Sequence, residues 1–388
     1  MVRIALIRGP YLRPDGVRPW EYLHNETDYE VVAFASDPPR FDISSLSMPV
    51  EQLPWPEGRF DLFGYDHFFS RAIRKLRFPS DYLVGLSSLT ERFDVLHTSE
   101  NFNLFSLQAA RATVGTDTLF AYSAGENIPY PIYQHNPLLW RVKTHVNRRA
   151  SGITTTTPVG KRALIHEGVS HEKLTILPNA VDLDLFRPTQ DVGPSDLDLP
   201  EELTGTTNIL FVHRLCEQKG TYELLDAFRE VAPGHDDVRL ILLGDDELDD
   251  AESTYVHQSE QILWRERIPY ASMPALYSLA DITVLPSVTM PNNEEQFGMA
   301  ILEAMACETA TVVTNVGGLP YVVAENETSL VVPERDPEAL AEALSELVSD
   351  PDRRARLGRN GKQRAAELFS PATVGQRLES FYDDLFDD

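Results

Sequence analysis

Residues 284–318 read VLPSVTMPNNEEQFGMAILEAMACETATVVTNVGG. An apolar run ends at Pro286 and Ser287, an irregular polar stretch follows, a helical pattern opens near Gly298, and a second apolar run covers 309–314. Runs that are apolar on both faces have no solvent side, so strand–loop–helix–strand here predicts a parallel sheet covered by helices. Within 298–307, at ~100° per residue, Ile301, Leu302, Met305 and Ala306 share one face. Glu303 then points roughly opposite, away from the sheet. Glu295 lies in the loop before the helix, near the strand carboxyl ends where open α/β sheets bind ligands.

The same stretch offers an anion site, because the N–H groups of Gly298, Met299 and Ala300 at a helix start have no intrahelical acceptor. Peptide donors for a diphosphate and two carboxylates for ribose and sugar hydroxyls are what a nucleotide sugar needs. Taken alone, Glu303 reads as a solvated helix glutamate; the Glu295-x7-Glu303 spacing, the Phe297-Gly298 turn and the buried strand that follows reverse that reading. Upstream, 210–220 (LFVHRLCEQKG) is a strand running into a loop with Arg214 and Lys219. Two cations five apart after a strand can straddle a diphosphate whose charge grows as a glycosidic bond breaks.

Apolar runs with the same character recur along the chain. They predict strands at 2–7, 30–35, 93–98, 117–123, 152–157 and 174–178, then at 208–213, 238–243, 282–286, 309–314 and 329–332. Helical patterns fall between them, for example at 221–232, 273–280 and 336–348. Strand–helix repetition predicts an α/β fold with doubly wound sheets. The stretch 187–207 is polar, acidic and rich in Pro and Gly, and it separates two self-contained β/α series. The expected division is 1–190 as a first Rossmann-like domain, 191–207 as linker, 208–370 as a second such domain and 371–388 as a terminal helix. A cleft between the two domains completes the expected architecture.

The chain has 388 residues, enough for two ordinary domains. With 34 basic against 60 acidic residues its net charge is −26, which argues against nucleic acid as a partner. Only 6 of the basic residues are Lys. A distributed acidic surface poor in Lys suits a protein working in molar salt, where screening removes self-repulsion, and predicts a halophilic source. Cys216 and Cys307 do not make a disulfide framework, and no CxxC or His-rich cluster suggests zinc. The N-terminal apolar run is too short for a signal peptide and no stretch reaches the ~18 apolar residues of a membrane span, so a cytoplasmic location is expected.

These residues carry a resemblance. EQFGMAILEAMA with VLPS before it and VVTNVGG after it resembles the retaining glycosyltransferases of family 4, which have the GT-B fold of two Rossmann-like domains facing each other across a cleft. HRLCEQKG resembles that family's Arg–Lys phosphate loop, LADITVLPS its preceding helix–strand, and 158–187 the segment that closes its N-terminal domain. The match covers most of 150–380 and is mainly topological over 1–150; the composition adds the expectation of a halophilic archaeon.

The resemblance implies that Glu303 binds the ribose hydroxyls and Glu295 the transferred sugar. Arg214 and Lys219 would neutralise the diphosphate, helped by the Phe297-Gly298 turn and the N–H groups of Gly298, Met299 and Ala300. Gly16 matches a glycine that lets backbone approach the phosphates, and helix 371–386 would cross back onto the first domain. The sequence departs from the family at His213, often Gly, at Ala180 within Asn179-Ala180-Val181-Asp182, and at Gly16, which stands alone instead of in a pair. Many members also carry a His-Gly after a middle N-terminal strand. Here that stretch is Ala121 to Asn127 without histidine, so Glu126, Asn127 or His97 are the acceptor-side candidates.

Two further features have bland and sharp readings. The acidic loop 244–250 (GDDELDD) could hold Mg²⁺ or Mn²⁺; its position in the resemblance makes it a solvated loop, and no metal or other cofactor is expected. Basic residues at 71–77 and 141–149 could hold the first domain against anionic lipid headgroups or could be locally paired helix surface. The expected activity is transfer of a hexose, with retention, from a UDP- or GDP-hexose to an acceptor hydroxyl of a lipid-linked glycan, glycolipid or surface polysaccharide precursor. The expected location is the cytoplasm, with possible contact with the inner face of the cell membrane. The rival readings are a hydrolysing sugar-nucleotide epimerase and a non-catalytic sugar-nucleotide-binding partner of another transferase.

Overall fold

The computed structural model describes residues 1–55, 81–130, 136–190 and 192–387. They form two compact units, Met1–Ala180 with Pro371–Asp388, and Val181–Ser370. Among the described residues, the first unit holds the strands β1 (Val2–Gly9), β2 (Tyr29–Asp37), β3 (Val50–Pro54), β4 (Val95–Ser99), β5 (Leu119–Ala124), β6 (Gly152–Thr155) and β7 (Leu174–Ile176). They pair in parallel in the order β3-β2-β1-β4-β5-β6-β7. Its helices are α1 (Arg18–Glu26), α2 (Leu104–Ala112), α3 (Pro137–Arg149) and α4 (Pro158–His166).

The second unit repeats the plan with β8 (Thr207–Val212), β9 (Val238–Leu243), β10 (Ile262–Arg265), β11 (Ile282–Leu285), β12 (Ala310–Thr314) and β13 (Ser329–Val332). The parallel order is β10-β9-β8-β11-β12-β13. Its helices are α5 (Thr221–Val231), α6 (Asp250–Gln258), α7 (Met273–Leu279), α8 (Met299–Ala306), α9 (Leu319–Val322), α10 (Pro337–Ser349) and α11 (Pro351–Phe369), after which α12 (Pro371–Asp387) returns to the first unit. In both sheets the chain winds outward from a central strand and then restarts on its other side. The reversal lies between β1 and β4 in one unit and between β8 and β11 in the other, and such switch points open a crevice beyond the strand carboxyl ends.

The continuous apolar runs are explained by burial on both faces. In β1, Ile4 and Leu6 pack with Trp20 and Leu23 of α1 and with Val374, Leu378, Phe381 and Tyr382 of α12. Ala5 and Ile7, on the opposite face, pack with Phe105 and Ala109 of α2, Val146 of α3 and Leu164 of α4. All eleven expected strands are present, and two more, β3 and β10, stand at sheet edges. Both edge strands are mostly half-exposed, so neither carries the two-faced apolar run that marks a central strand.

The polar stretch 191–207 is not a free connector in its described part. Leu197, Leu199 and Leu203 are buried in the core of the second unit, and the unit boundary falls at Ala180 and Val181. Three leucines among acidic residues are enough to dock it, since burying each contributes roughly 1.5–3 kcal/mol.

Helix α12 completes one face of the first unit through a close crossing with α1. A methyl group at Gly375 would sit 2.2 Å from Cδ1 and 2.9 Å from Cβ of Tyr22, near the stiff base of that side chain. Alanine is intrinsically about 1 kcal/mol better than glycine in a helix, whereas overpacking costs about 1–3 kcal/mol. Gly375→Ala is therefore expected to lower the urea midpoint of the protein despite its better helix propensity; a raised midpoint would mean that α12 does not pack this tightly on α1.

Candidate functional site

The second unit's switch point brings together two loops that follow neighbouring strands. After β8 the chain passes through His213 and Arg214 to a single 3-10 turn, Glu217–Lys219, and α5 begins behind Gly220. After β11 come Pro286 and Ser287. Gly220 has φ +69°, and a Cβ there would lie 1.8 Å from the carbonyl oxygen of Pro286. Only glycine permits that approach, and the loops are also joined by the Val288 N–H donating to Gln218 O at 3.0 Å.

Between these loops lies a buried ion pair. Lys219 Nζ donates to Glu295 Oε2 at 2.8 Å, and Ser287 Oγ donates to the same oxygen at 2.9 Å. Lys219 and Glu295 are 6% and 8% exposed, so the pair is desolvated. Burial alone would push the Glu295 carboxyl up, but Lys219, with help from His213 and the Ser287 hydroxyl, holds it below the ordinary carboxylate value. The backbone of Glu295 is fixed as well. Gly318 N–H donates to Glu295 O at 2.9 Å, and Gly317, at φ +54°, lies so close that a Cβ would be 1.9 Å from that oxygen.

His213 adds a donor that spacing alone does not suggest. Its Nδ1 accepts the Arg214 N–H at 3.0 Å, which leaves the ring proton of the neutral form on Nε2. Burial and Lys219 pull the imidazole down to about 4, with Glu295 opposing and Arg214 adding to the effect. It is therefore neutral at ordinary pH.

Helix α8 opens behind Gly298, whose carbonyl accepts from Ile301 and Leu302. The Met299 and Ala300 N–H groups thus occupy the first turn, where helix geometry supplies no acceptor. Glu303 is buried, not solvated, at 8% exposure. Its Oε2 accepts from Tyr277 Oη at 3.0 Å and its Oε1 from Tyr270 Oη at 3.2 Å, and burial together with Glu303 holds the Tyr277 phenol protonated, well above its ordinary range. Tyr270 and Tyr277 both pack against Phe186. Phe297, named as a site residue from its turn, is instead a core side chain, 3% exposed and edge-on to Phe369.

Arg214 does not share the buried pair. It is exposed, and its Nη1 contacts both carboxylate oxygens of Glu247 at 3.0 Å. The acidic loop that includes Glu247 is otherwise engaged locally. Asp245 pairs with Arg267, Asp246 accepts from Leu248 N–H and Ser253 Oγ, and Asp249 caps α6. Among the described residues no group of three or more His, Cys, Asp or Glu could hold a metal ion. Cys216 and Cys307 are free thiols.

The first unit receives its named residues differently. His97 is fully buried; Nε2 meets Ser123 Oγ at 2.8 Å and Nδ1 meets Tyr382 Oη at 2.7 Å, with Trp20, Phe381 and Tyr382 edge-on around it. It is a core histidine that fastens α12 to β4, so it does not reach open space. Gly16 ends a 3-10 turn, Pro14–Gly16; its backbone is outside the left-handed region, and a Cβ there would meet nothing within 4 Å. Asn127 is buried and accepts from Thr157 Oγ1 at 2.9 Å. Glu126 pairs with Lys143 at 2.8 Å. Lys143 is itself buried on α3 and also pairs with Glu167 at 3.0 Å, which takes it out of the basic patch at 141–149. The patch at 71–77 lies outside the described residues. No helix among the described residues is long and apolar enough to cross a membrane.

Comparison with known proteins places both units among glycosyltransferases. Residues 200–364 match the family described as glycosyl transferases group 1, and 21–180 match the glycosyl transferase 4-like domain. Between them the two matches span most of the chain, which belongs to this family of glycosyltransferases. It is 34% identical over 228 residues to the alpha-maltose-1-phosphate synthase of Mycolicibacterium smegmatis, covering 54% of this chain and 57% of that one. It is 31% identical over 232 residues to the D-inositol 3-phosphate glycosyltransferase of Corynebacterium glutamicum, covering 56% and 53%. The chain thus spans about half the length of the curated relatives it matches. Among solved structures it resembles Anabaena HepE in complex with UDP, with a TM-score of 0.74, 18% identity and coverage of 99% and 100%; that likeness is one of fold.

The buried pair makes a stability prediction with a sign. Lys219→Met would take the neutralising ammonium away from the desolvated Glu295 carboxylate, costing about 3–5 kcal/mol at pH 7. In the wild type Glu295 contributes stability that is present above the ordinary carboxylate range and lost as pH falls through its depressed value. In the variant burial is less opposed and pushes Glu295 up, so the carboxyl can protonate and the deficit should shrink as pH is lowered from 7 to 5. Urea unfolding at both values measures this; a deficit that stays constant would argue against a buried charge.

Proposed function

We propose that the protein is a retaining glycosyltransferase that moves a hexose from a nucleotide diphosphate sugar to an acceptor hydroxyl. The observation that carries this reading is the desolvated Lys219–Glu295–Ser287 cluster beside the first turn of α8, with Glu303 a little over one turn further along the helix. Lys219 and the first-turn N–H groups of α8 supply positive potential for a diphosphate, and Arg214, exposed on the same post-strand loop, can exchange Glu247 for phosphate. Glu303, oriented by Tyr277 and Tyr270, accepts ribose hydroxyls. Glu295 accepts hydroxyls of the transferred sugar, and the His213 Nε2–H is an added donor nearby.

Departure of a nucleotide diphosphate is assisted by preorganised positive charge, and in a water-poor site that stabilisation is large because the dipoles need not reorient. Retention follows if the acceptor attacks from the face the diphosphate leaves and its proton passes to the departing phosphate oxygen. Positioning and charge then supply the catalysis, and no strong general base is required. A matched relative of Corynebacterium glutamicum, 31% identical over 216 residues and named a GDP-mannose-dependent mannosyltransferase, supports a nucleotide-sugar donor. The acceptor in this reading is a lipid-linked glycan, a glycolipid or a surface polysaccharide precursor. Arg141, Arg148 and Arg149, which remain exposed on α3, would meet anionic headgroups from the cytoplasmic side.

Labelled UDP- and GDP-hexoses, offered to the protein with membrane lipids in molar KCl, test the reading. Label in the organic phase is the expected result; free sugar alone would indicate hydrolysis or epimerisation instead. Glu295→Ala is expected to lower transfer by at least about 10²-fold while sparing nucleotide binding, and Glu303→Ala to weaken nucleotide binding roughly tenfold. Wild-type turnover in the Glu295 variant would remove its assigned role.

A further inference from the structure

The first unit has a second cluster at its own switch point, built from the carboxyl ends of three adjacent strands. Arg8 is the penultimate residue of β1, Glu100 follows β4 directly, and Ser123 is in β5. Arg8 is 7% exposed. Its guanidinium lies over the Trp20 ring, 4.8 Å from the centroid, and Nη2 reaches Ser123 Oγ only at 3.5 Å. Glu100 Oε1 accepts the Gly125 N–H at 2.9 Å, and the Glu100 N–H donates to Ser123 O at 2.8 Å. Arg8 Nη1 and Glu100 Oε2 are both buried, and among the described residues neither has a hydrogen-bond partner. The two groups feel each other's charge, yet no hydrogen bond joins them.

A buried donor and a buried acceptor left open at the ends of neighbouring strands are costly, because each has lost water without replacement. The backbone adds a second cost. Glu100 has φ +58°, a left-handed conformation that suits glycine and strains a glutamate, and such strain collects at ligand sites. A residue kept there for its backbone alone would be better as glycine.

We propose that Arg8 and Glu100 form a hydroxyl-binding pair that takes the pyranose ring of an uncharged sugar acceptor. Hydroxyls suit such a pair because each can both accept from an N–H and donate to a carboxylate oxygen. A phosphate or carboxylate ligand would be repelled by the Glu100 carboxylate, and an ammonium group by Arg8. Burial, then Glu126, push the Glu100 carboxyl up to about 7 against the Gly125 N–H, Lys143 and Arg8, so its charge changes near neutral pH. The assignment deepens the transfer reading and takes the word acceptor from it.

Saturation-transfer NMR on the full chain in molar KCl tests the pair, with methyl α-glucopyranoside, α-mannopyranoside and α-galactopyranoside as probes and saturating UDP or GDP added to occupy the nucleotide site. At least one glycoside should bind. Glu100→Gly, which relaxes the backbone, should keep or raise the urea midpoint while weakening that glycoside roughly tenfold or more, and Arg8→Lys should weaken it without loss of nucleotide binding. Glu100→Gln should fold as the wild type does and flatten the pH dependence of binding between pH 6 and 8. Unchanged glycoside affinity in Glu100→Gly, or no bound glycoside while either nucleotide binds, would overturn the pair and leave the donor reading standing. A bound glycoside with neither nucleotide bound would overturn the donor reading and leave the pair.

Discussion

The second unit is organised around one desolvated ion pair. Removing a carboxylate and an ammonium from water costs several kcal/mol per ion, and their attraction offsets this only when geometry is good and the remaining lone pairs are bonded. Lys219 and Glu295 meet that condition because three close approaches hold their loops: Gly220 against Pro286 O, Gly317 against Glu295 O, and Ser287 Oγ on Glu295 Oε2. A well-packed apolar pair would often be as stable. The ion pair instead provides a fixed cation and a fixed acceptor at the strand ends, as the proposed departure of a diphosphate requires.

The two units obey the same topological rule with different degrees of satisfaction. Each sheet reverses its winding beside its first strand, and each gathers polar groups at that point. In the second unit the central acid is neutralised by Lys219, and Glu303 is held by two phenols. In the first unit Glu126, Lys143 and Glu167 are mutually paired, whereas one atom of Arg8 and one of Glu100 stay open. A charge that is fully paired has little differential affinity left for a neutral ligand, while an open donor and acceptor gain both bonds on binding. The asymmetry fits the proposed division of labour, a charged donor on the second unit and an uncharged ring on the first.

The sequence made the central strands legible because burial on both faces leaves an unbroken apolar run, as in Ile4–Ile7 and Leu240–Leu243. Edge strands β3 and β10 escaped because one side meets solvent and their residues, VEQLP and ILWR, mix charge with apolar side chains. The Glu295-x7-Glu303 pattern was legible as spacing, but its partners were not. Tyr277 is the polar tip on an apolar helix face, and nothing local marks where its hydroxyl ends. Phe297 and His97 lie in the core, and the chain alone does not mark this, since an aromatic before a helix or a histidine at a strand end looks the same whether it faces ligand or packing. Arg8 stands at the end of an apolar run, which signals a strand carboxyl end, whereas Glu100 follows the polar His97-Thr98-Ser99, and only the strand order makes the two neighbours.

The charge composition bears on how these buried groups behave in salt. Each of the five lysines within the described residues donates a hydrogen bond: Lys143 to Glu126, Lys161 to Leu174 O, Lys173 to Ala150 O, Lys219 to Glu295 and Lys362 to Glu308. Lysine here is a structural donor, and solvated charge is left mainly to carboxylates and arginine. With a net charge of −26, self-repulsion acts over a screening length of about 10 Å at 0.1 M salt but only about 3 Å at 1 M. Desolvated pairs such as Lys219–Glu295 are screened far less. Added salt should therefore relax the surface while leaving the candidate site's electrostatics nearly unchanged, which separates the requirement for folding from the requirement for chemistry.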